Sequence, residues 1–307
     1  MQHEASLPVP WSASGRYIAG MKVLAKGIWR LLKEKPLGAA GGGIVLILLL
    51  CAIFAPLIAT HPYDQANVRY RLKPPGTQFY LGTDNLGRDI YSRIIYGARI
   101  SVTVGFGAVG IGTLLATIIG VSSGYFGGTL DVCLQRLVDA WMAFPFLVVL
   151  LSVMAVLGPG LLNVVLSLGV LSAASSSRII RSATLSVREH QYVEAARAIG
   201  ASQWRIILLY ILPNVIAPII IIATVSLGFA ILAESALSFL GLGVPPPYPS
   251  WGEMLSGSGR TYMHRAPWMA TWPGVAISLA VFGFNMLGDA LRDLLDPRLR
   301  GGQSIGR

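Results

Sequence analysis

Long uncharged runs, broken by short polar stretches, set the pattern of this chain. Residues 37–60, 100–130 and 140–177 contain no Asp, Glu, Lys or Arg. A helix that crosses a hydrocarbon layer about 30 Å thick needs roughly 20 such residues. The third run holds 38 residues, too many for one helix, and Gly158-Pro159-Gly160 divides it. The pattern predicts six spans, at about 37–59, 100–123, 134–157, 161–177, 214–236 and 267–288. The expected fold class is therefore an all-α polytopic membrane protein. Close-spaced glycines in the second span (Gly105, Gly107, Gly110, Gly112, Gly120) permit tight helix contact.

The polar stretches have characters of their own. Residues 61–99 are rich in turn formers, and the acids between Gly82 and Asp89 are not spaced as a calcium loop. A turn followed by a helix capped by Asp89 is the better reading. Residues 241–267 carry a proline run and the tryptophans Trp251 and Trp268 without spanning length, which predicts an ordered outer loop or shallow re-entrant scoop. Ahead of the first span, residues 16–35 show an apolar stripe (Ile18, Met21, Ala25, Ile28, Leu32) beside a basic one (Lys22, Lys26, Arg30, Lys33). That suits a helix lying on anionic lipid, or a plain solvated helix.

Residues 189–213 stand out most. They form an arginine-bearing island of helix formers between two apolar spans. Glu194-Ala195-Ala196-Arg197 lies in a run without a breaker, so a short helix over 189–199 is expected. Gly200 ends it, since glycine takes positive φ freely. After Ala201 a second helix can begin near Ser202 and run into Leu212-Pro213. A helix, a bend and a second helix outside a span suit docking on another protein; an ordinary helical loop is the alternative.

Composition agrees with a membrane protein. Only 12% of residues are charged and 54% are hydrophobic, with a mean hydropathy of +0.63. Soluble domains carry about 25% charged residues. The net charge of +10 does not require nucleic acid, because Lys and Arg gather on the cytoplasmic flanks of spans. Sixteen of the 24 lie on the side of the termini and eight on the other, which puts both termini and the Glu194 segment in the cytoplasm. Cys51 and Cys133 are far apart, the four histidines are scattered, and neither a disulfide framework nor a metal motif emerges.

No Walker A sequence, His-Glu-x-x-His or Cys-x-x-Cys is present, so the chain is not expected to be an enzyme or to hold a cofactor. Transport driven by an ion gradient would need ionisable groups near mid-membrane. Asp139, Glu234 and Asp289 all fall near span ends, where structural pairing competes with a pathway role. Glu234 is the best pathway candidate of the three, expected at the outer mouth, with Asp139 behind it.

Glu194-Ala195-Ala196, then Gly200, then Leu212-Pro213 resembles the EAA loop of ABC importer permeases. Tyr210 replaces the family's usual isoleucine, with Ile211 beside it. Three further pieces resemble the dipeptide, oligopeptide and nickel branch, in particular its dipeptide C-type subunits. They are residues 82–101 with Arg93, Gly97, Arg99 and Ser101, residues 237–252 with Pro249-Ser250-Trp251-Gly252, and residues 291–298. The resemblance covers about residues 36–300, between a cytoplasmic segment at 1–36 and a tail at 301–307. It implies a permease subunit of an ATP-driven importer in a bacterial cytoplasmic membrane, carrying peptides or, alternatively, nickel by alternating access. It also implies a second homologous permease chain, two ABC ATPase subunits that bind ATP and magnesium, and an extracytoplasmic solute-binding protein. The loop 178–213 would be the coupling element, with Glu194, Ala195, Ala196, Arg197, Gly200, Ala201, Leu212 and Pro213 at the ATPase contact. An ion-gradient transporter and a membrane scaffold remain the readings from other classes.

Overall fold

The computed structural model describes residues 35–295, all helix, turn and loop apart from one isolated bridge between Thr83 and Asp89. The surface helix expected at 16–35, the end of the motif at 291–298 and the tail lie outside these residues, save Lys35 and positions 291–295.

Helix α1 (Pro36–Ile53) starts on Pro36, whose missing N–H costs nothing in a first turn. It buries Gly38, Gly41, Val45, Leu48 and Ala52, one face at three- and four-residue spacing. The chain bends at Phe54 into the single turn α2 (Ala55–Ile58). Pro56 explains the break, because it has no amide to give to the turn before it.

Helix α3 (Ile90–Phe126) is 37 residues long, about 56 Å at 1.5 Å per residue. The Asp89 cap and the span expected from residue 100 thus belong to one continuous helix. The Asp89 carboxylate accepts from the Ser92 amide at 3.1 Å, and Gly127, at φ +66°, ends the helix. The span expected at 134–157 is not one helix. It is α4 (Gly128–Met142) and α5 (Phe146–Leu157), bent by 85°. Pro145 supplies no N–H and forces Phe144 away from helical backbone, so the bend falls where sterics dictate. With 12 residues α5 reaches only about 18 Å, short of a crossing.

Helix α6 (Leu161–Arg188) continues well past residue 177, where its span was expected to finish. Short helices α7 (Gln191–Ala198) and α8 (Gln203–Ile206) follow. A wide π turn (Ile207–Ile211) then leads into α9 (Leu212–Phe239). Pro213, near the start of α9, lacks the amide that a regular helix would need there. Two single-turn helices, α10 (Trp251–Leu255) and α11 (Gly257–Thr261), precede α12 (Trp268–Leu295).

Helix α3 is the shared partner, with α6 on one side and α1 and α9 on the other; α12 closes against α1 and α9. Between membrane helices no hydrophobic drive exists, so close backbone approach supplies the contact. Along α3, Ala108, Gly112, Ala116, Gly120 and Gly124 recur every four residues against α6. A Cβ at Gly120 would lie 2.7 Å from the Ser177 carbonyl oxygen, and one at Gly112 2.9 Å from that of Gly169. Gly41 meets α12 as closely, with Met286 Cβ 2.7 Å from its missing side chain.

Candidate functional site

At one end of the bundle the chain leaves α6 and forms the elbow α7–α8. Val193 and Ala196 of α7 are buried against Ile180, Ile206, Ile207 and Ile211. The turn after α7 has Gly200 at φ +78°. The Ala201 amide donates to the Ala196 carbonyl at 3.0 Å and the Gly200 amide to that of Arg197 at 2.9 Å. This is the paired closure of a Schellman turn, which needs a left-handed residue where Gly200 stands. Ser202 caps α8 by accepting from the Arg205 amide at 3.4 Å.

The structure brings all eight residues of the expected coupling element around this elbow. Ala196 faces inward, while Ala201 and Leu212 are half-buried against the same core. Glu194, Ala195, Arg197, Gly200 and Pro213 are exposed. Exposed beside them are two large apolar side chains that sequence reading did not single out, Ile199 at 82% and Trp204 at 70%. Their type was the available signal, as large apolar residues within an otherwise polar segment.

The elbow is tied to the long helices. The Arg197 guanidinium stands 5.3 Å from the centre of the Tyr125 ring, at the end of α3. Arg188 donates to the carbonyls of Gly124 and Tyr125 at 3.3 and 3.2 Å. Arg181 of α6 makes a two-pronged pair with Asp131 of α4, at 2.7 and 2.6 Å. These contacts join α7 to α3 directly, and α6 to α3 and α4.

The opposite end is a cap in which the polar stretches of the sequence meet. Arg93, 1% exposed, pairs with Glu253 at 2.8 Å, and Arg88 pairs with Asp84 at 2.6 Å. The Trp251 indole is 2% exposed and donates to the Ile94 carbonyl at 3.0 Å. It lies where a Cβ on Gly97 would be, 2.6 Å away. Trp268 donates to the Thr83 carbonyl at 3.1 Å. Gly252 presses so closely on the Ser235 carbonyl that a Cβ would fall 2.0 Å from its oxygen. Residues 82–101 and 237–252, separate in the sequence, are two halves of this cap. The Arg93–Glu253 pair was not foreseen, although Ser250-x-x-Glu253 is a capping-box spacing and Ser250 does cap α10, accepting from Glu253 at 3.1 Å.

Glu234 belongs to the cap and not to an open mouth. It is 0% exposed, and Ser238 and Ser235 donate to its carboxylate at 2.7 and 3.4 Å. Buried carboxylates are held by such donors, and here both hydrogen-bond donors come from its own helix. Asp139 pairs with Arg178 of α6 and more loosely with Arg136 at 3.8 Å. Asp289 is exposed on α12. The three acids are far apart in role, and Glu234 and Asp139 are both engaged by partners in this chain.

Between the α4–α5 bend, α6 and α9 lies a cavity of about 630 Å³. Trp141, Phe146 and Phe229 form its aromatic wall and Ser172, Ser176 and Ser226 its polar one. The spacing Gly120-Val121-Ser122-Ser123-Gly124 would suit a nucleophile elbow only at a strand-to-helix turn. Here it lies inside α3 without a break.

Comparison with known proteins decides what this arrangement is. The family model of the binding-protein-dependent transport system inner membrane component matches residues 116–301, and that of the N-terminal TM domain of oligopeptide transport permease C matches residues 24–75. The chain belongs to the binding-protein-dependent transport system inner membrane components. It is similar to the dipeptide transport system permease protein DppC of Alkalihalophilus pseudofirmus, 43% identical over 89% of both chains. The di/tripeptide transport system permease protein DppC of Pseudomonas aeruginosa is 41% identical over 86% of this chain and 89% of its own. The glutathione transport system permease protein GsiD of Escherichia coli is 40% identical over 89% of this chain and 90% of its own. The inward-facing MetNI methionine ABC transporter superposes with a TM-score of 0.55 at 18% identity, over 66% of this chain and 96% of that one. That likeness concerns the fold. The permease is a multi-pass inner-membrane protein, and the family match takes in the elbow, the cavity and every helix from α4 to α12. As a transport component of the membrane it is a passage and not itself an enzyme.

Proposed function

We propose that this permease is one half of the membrane pore of an ATP-driven peptide importer. A solute-binding protein outside delivers a di- or oligopeptide to a cavity between this chain and a second, similar permease chain. Two ATPase subunits, holding ATP and magnesium, close and open on the cytoplasmic side. The elbow α7–α8 is the contact through which one of them drives the spans. Glu194, Ala195 and Arg197 present the polar part of that contact, and Ile199 and Trp204 its apolar part. Ala196, Gly200 and Ala201 set its shape, and Leu212-Pro213 joins it to α9.

The observation that carries this reading is the pairing of two exposed apolar side chains with a rigid mount. Ile199 and Trp204 gain nothing from water, while Val193, Ala196, Arg188 and Arg197 fix the elbow to α3 and α6. An ATPase can bias the spans only through contacts that differ between its two states, and this elbow is placed to supply them. The names of the relatives favour peptides over nickel.

The test is ATP hydrolysis and peptide uptake by the intact complex in proteoliposomes. Gly200→Pro imposes φ near −65° where +78° is needed. Glu194→Lys reverses an exposed charge. Both are expected to abolish uptake while the complex still hydrolyses ATP. Normal uptake in both variants contradicts the coupling role. Uptake of nickel unaffected by excess peptide contradicts the substrate assignment.

A further inference from the structure

Around the cap, the charges that its own contacts leave over are mostly of one sign. Asp84 is closed on Arg88 and Glu253 on Arg93, and Asp89 is 2% exposed at the head of α3. Among the described residues, Asp64 is the acid left exposed at this end. Two segments, residues 65–83 and 254–267, contain Arg69, Arg71, Lys73, Arg260 and Arg265 and no Asp or Glu. All five of these cations are exposed. The segments lie far apart in the sequence and meet at Tyr262. The Arg71 guanidinium donates to the Tyr262 hydroxyl and stands 5.3 Å from the centre of its ring. Lys73 is held in the same way, its ammonium 5.1 Å from the Tyr70 ring centre and 5.5 Å from that of Phe79. It also donates to the Gln78 side-chain oxygen at 2.7 Å. Leu72, between the two, has φ +53°, a left-handed backbone that a bulky residue rarely takes. Leu72 packs against the core of the cap while Arg71 and Lys73 face out.

We propose that this surface is a dock for an acidic lobe of the solute-binding protein. The proposal rests on the importer reading given above, which puts the cap outside the membrane with a solute-binding protein against it. Lys and Arg are disfavoured on the outer side of a membrane protein, so a surplus there calls for a use. Anionic lipid headgroups are the other polyanion at hand, but they attract basic segments without asking for fixed positions. Here Arg71 and Lys73 are laid on aromatic rings, and the turn at Leu72 sets where they point. Long side chains ordered beforehand lose less freedom on binding, which suits a partner of defined shape. Charges at such a surface act chiefly on the rate of encounter and on its salt dependence.

The experiment uses the intact complex in phosphatidylcholine proteoliposomes with the peptide-loaded solute-binding protein that copurifies with it. It follows ATPase stimulation against binding-protein concentration. The half-saturating concentration should rise at least fivefold between about 50 and 500 mM KCl. Arg69→Glu, Arg71→Glu and Lys73→Glu together should raise it about tenfold at the lower salt and flatten its salt dependence, with the loss recovered at high binding-protein concentration. The milder pair Arg69→Gln and Arg260→Gln, which leaves both ring-held cations in place, should raise it about threefold. Deca-glutamate should compete with the binding protein, and deca-lysine should not. A half-saturating concentration that ignores salt, or that moves in neither variant, overturns the dock. So does a loss of stimulation in the variants that appears only when phosphatidylglycerol is added to the vesicles, which assigns the surface to lipid. Failure of the importer reading looks different and takes the dock with it: the unmodified complex is then stimulated at no binding-protein concentration and no salt.

Discussion

The two ends of this permease are held together by opposite means. At the cap, a buried arginine, two indole N–H groups and a buried carboxylate each have named partners, and tryptophan rings fill the places where glycines omit a side chain. At the elbow the interior is aliphatic and shallow, and Ile199 and Trp204 are left facing out. A network of paired polar groups favours one geometry, because each broken partner exposes a costly orphan, although Arg93 Nε, Asp89 Oδ1 and Asn85 Oδ1 of the cap are buried without a hydrogen-bond partner. An apolar patch without a cover has no such preference until something covers it. The cap is thus held mainly by contacts within this chain, while the elbow reads as half of an interface.

Damage should therefore cost stability at the cap and function at the elbow. Trp251→Ala removes the largest fully buried side chain among the described residues, together with its bond to the Ile94 carbonyl, and is expected to cost about 3–5 kcal/mol. Thermal inactivation of the purified complex, followed by loss of the monodisperse peak, should show it as the largest shift of the set. A wild-type profile for Trp251→Ala would mean that the cap is not the rigid end. Gly120→Leu tests the shaft between the ends. Its side chain must displace the α6 backbone at Ser177, and overpacking of this kind costs about 1–3 kcal/mol. Cross-linking of cysteine pairs placed along α3 and α6 should lose its register. Trp204→Ala should be the mildest, within about 0.5 kcal/mol of wild type as an exposed substitution, yet peptide uptake should fall at least tenfold. Strong thermal destabilisation by Trp204→Ala would erase the contrast between the two ends.

The elbow was legible beforehand because its signals are local. Gly200 five residues after Ala195, and Ser202 just before a new helix, specify a turn without reference to anything distant. The long helices were legible for the same reason, as lack of charge is a local property. The bend at Ala143–Pro145 was missed although Pro145 was in view, because the uncharged run hid the steric break inside it. The cap was legible only in pieces. Arg93 meets Glu253 across 160 positions, and the lining of Glu234 includes a loop that returns from beyond α9, so its span-end position alone suggested a solvent-facing acid.

The most direct test of the account labels the exposed tip of the elbow. Ile199→Cys, in a chain whose Cys51 and Cys133 are replaced by serine, is expressed with its full complex and cross-linked in intact membranes. The account predicts a covalent product with a nucleotide-hydrolysing subunit, and no reaction with a membrane-impermeant thiol reagent added from outside. Labelling of Ile199→Cys from outside, or a cross-linked partner that does not hydrolyse ATP, would contradict it.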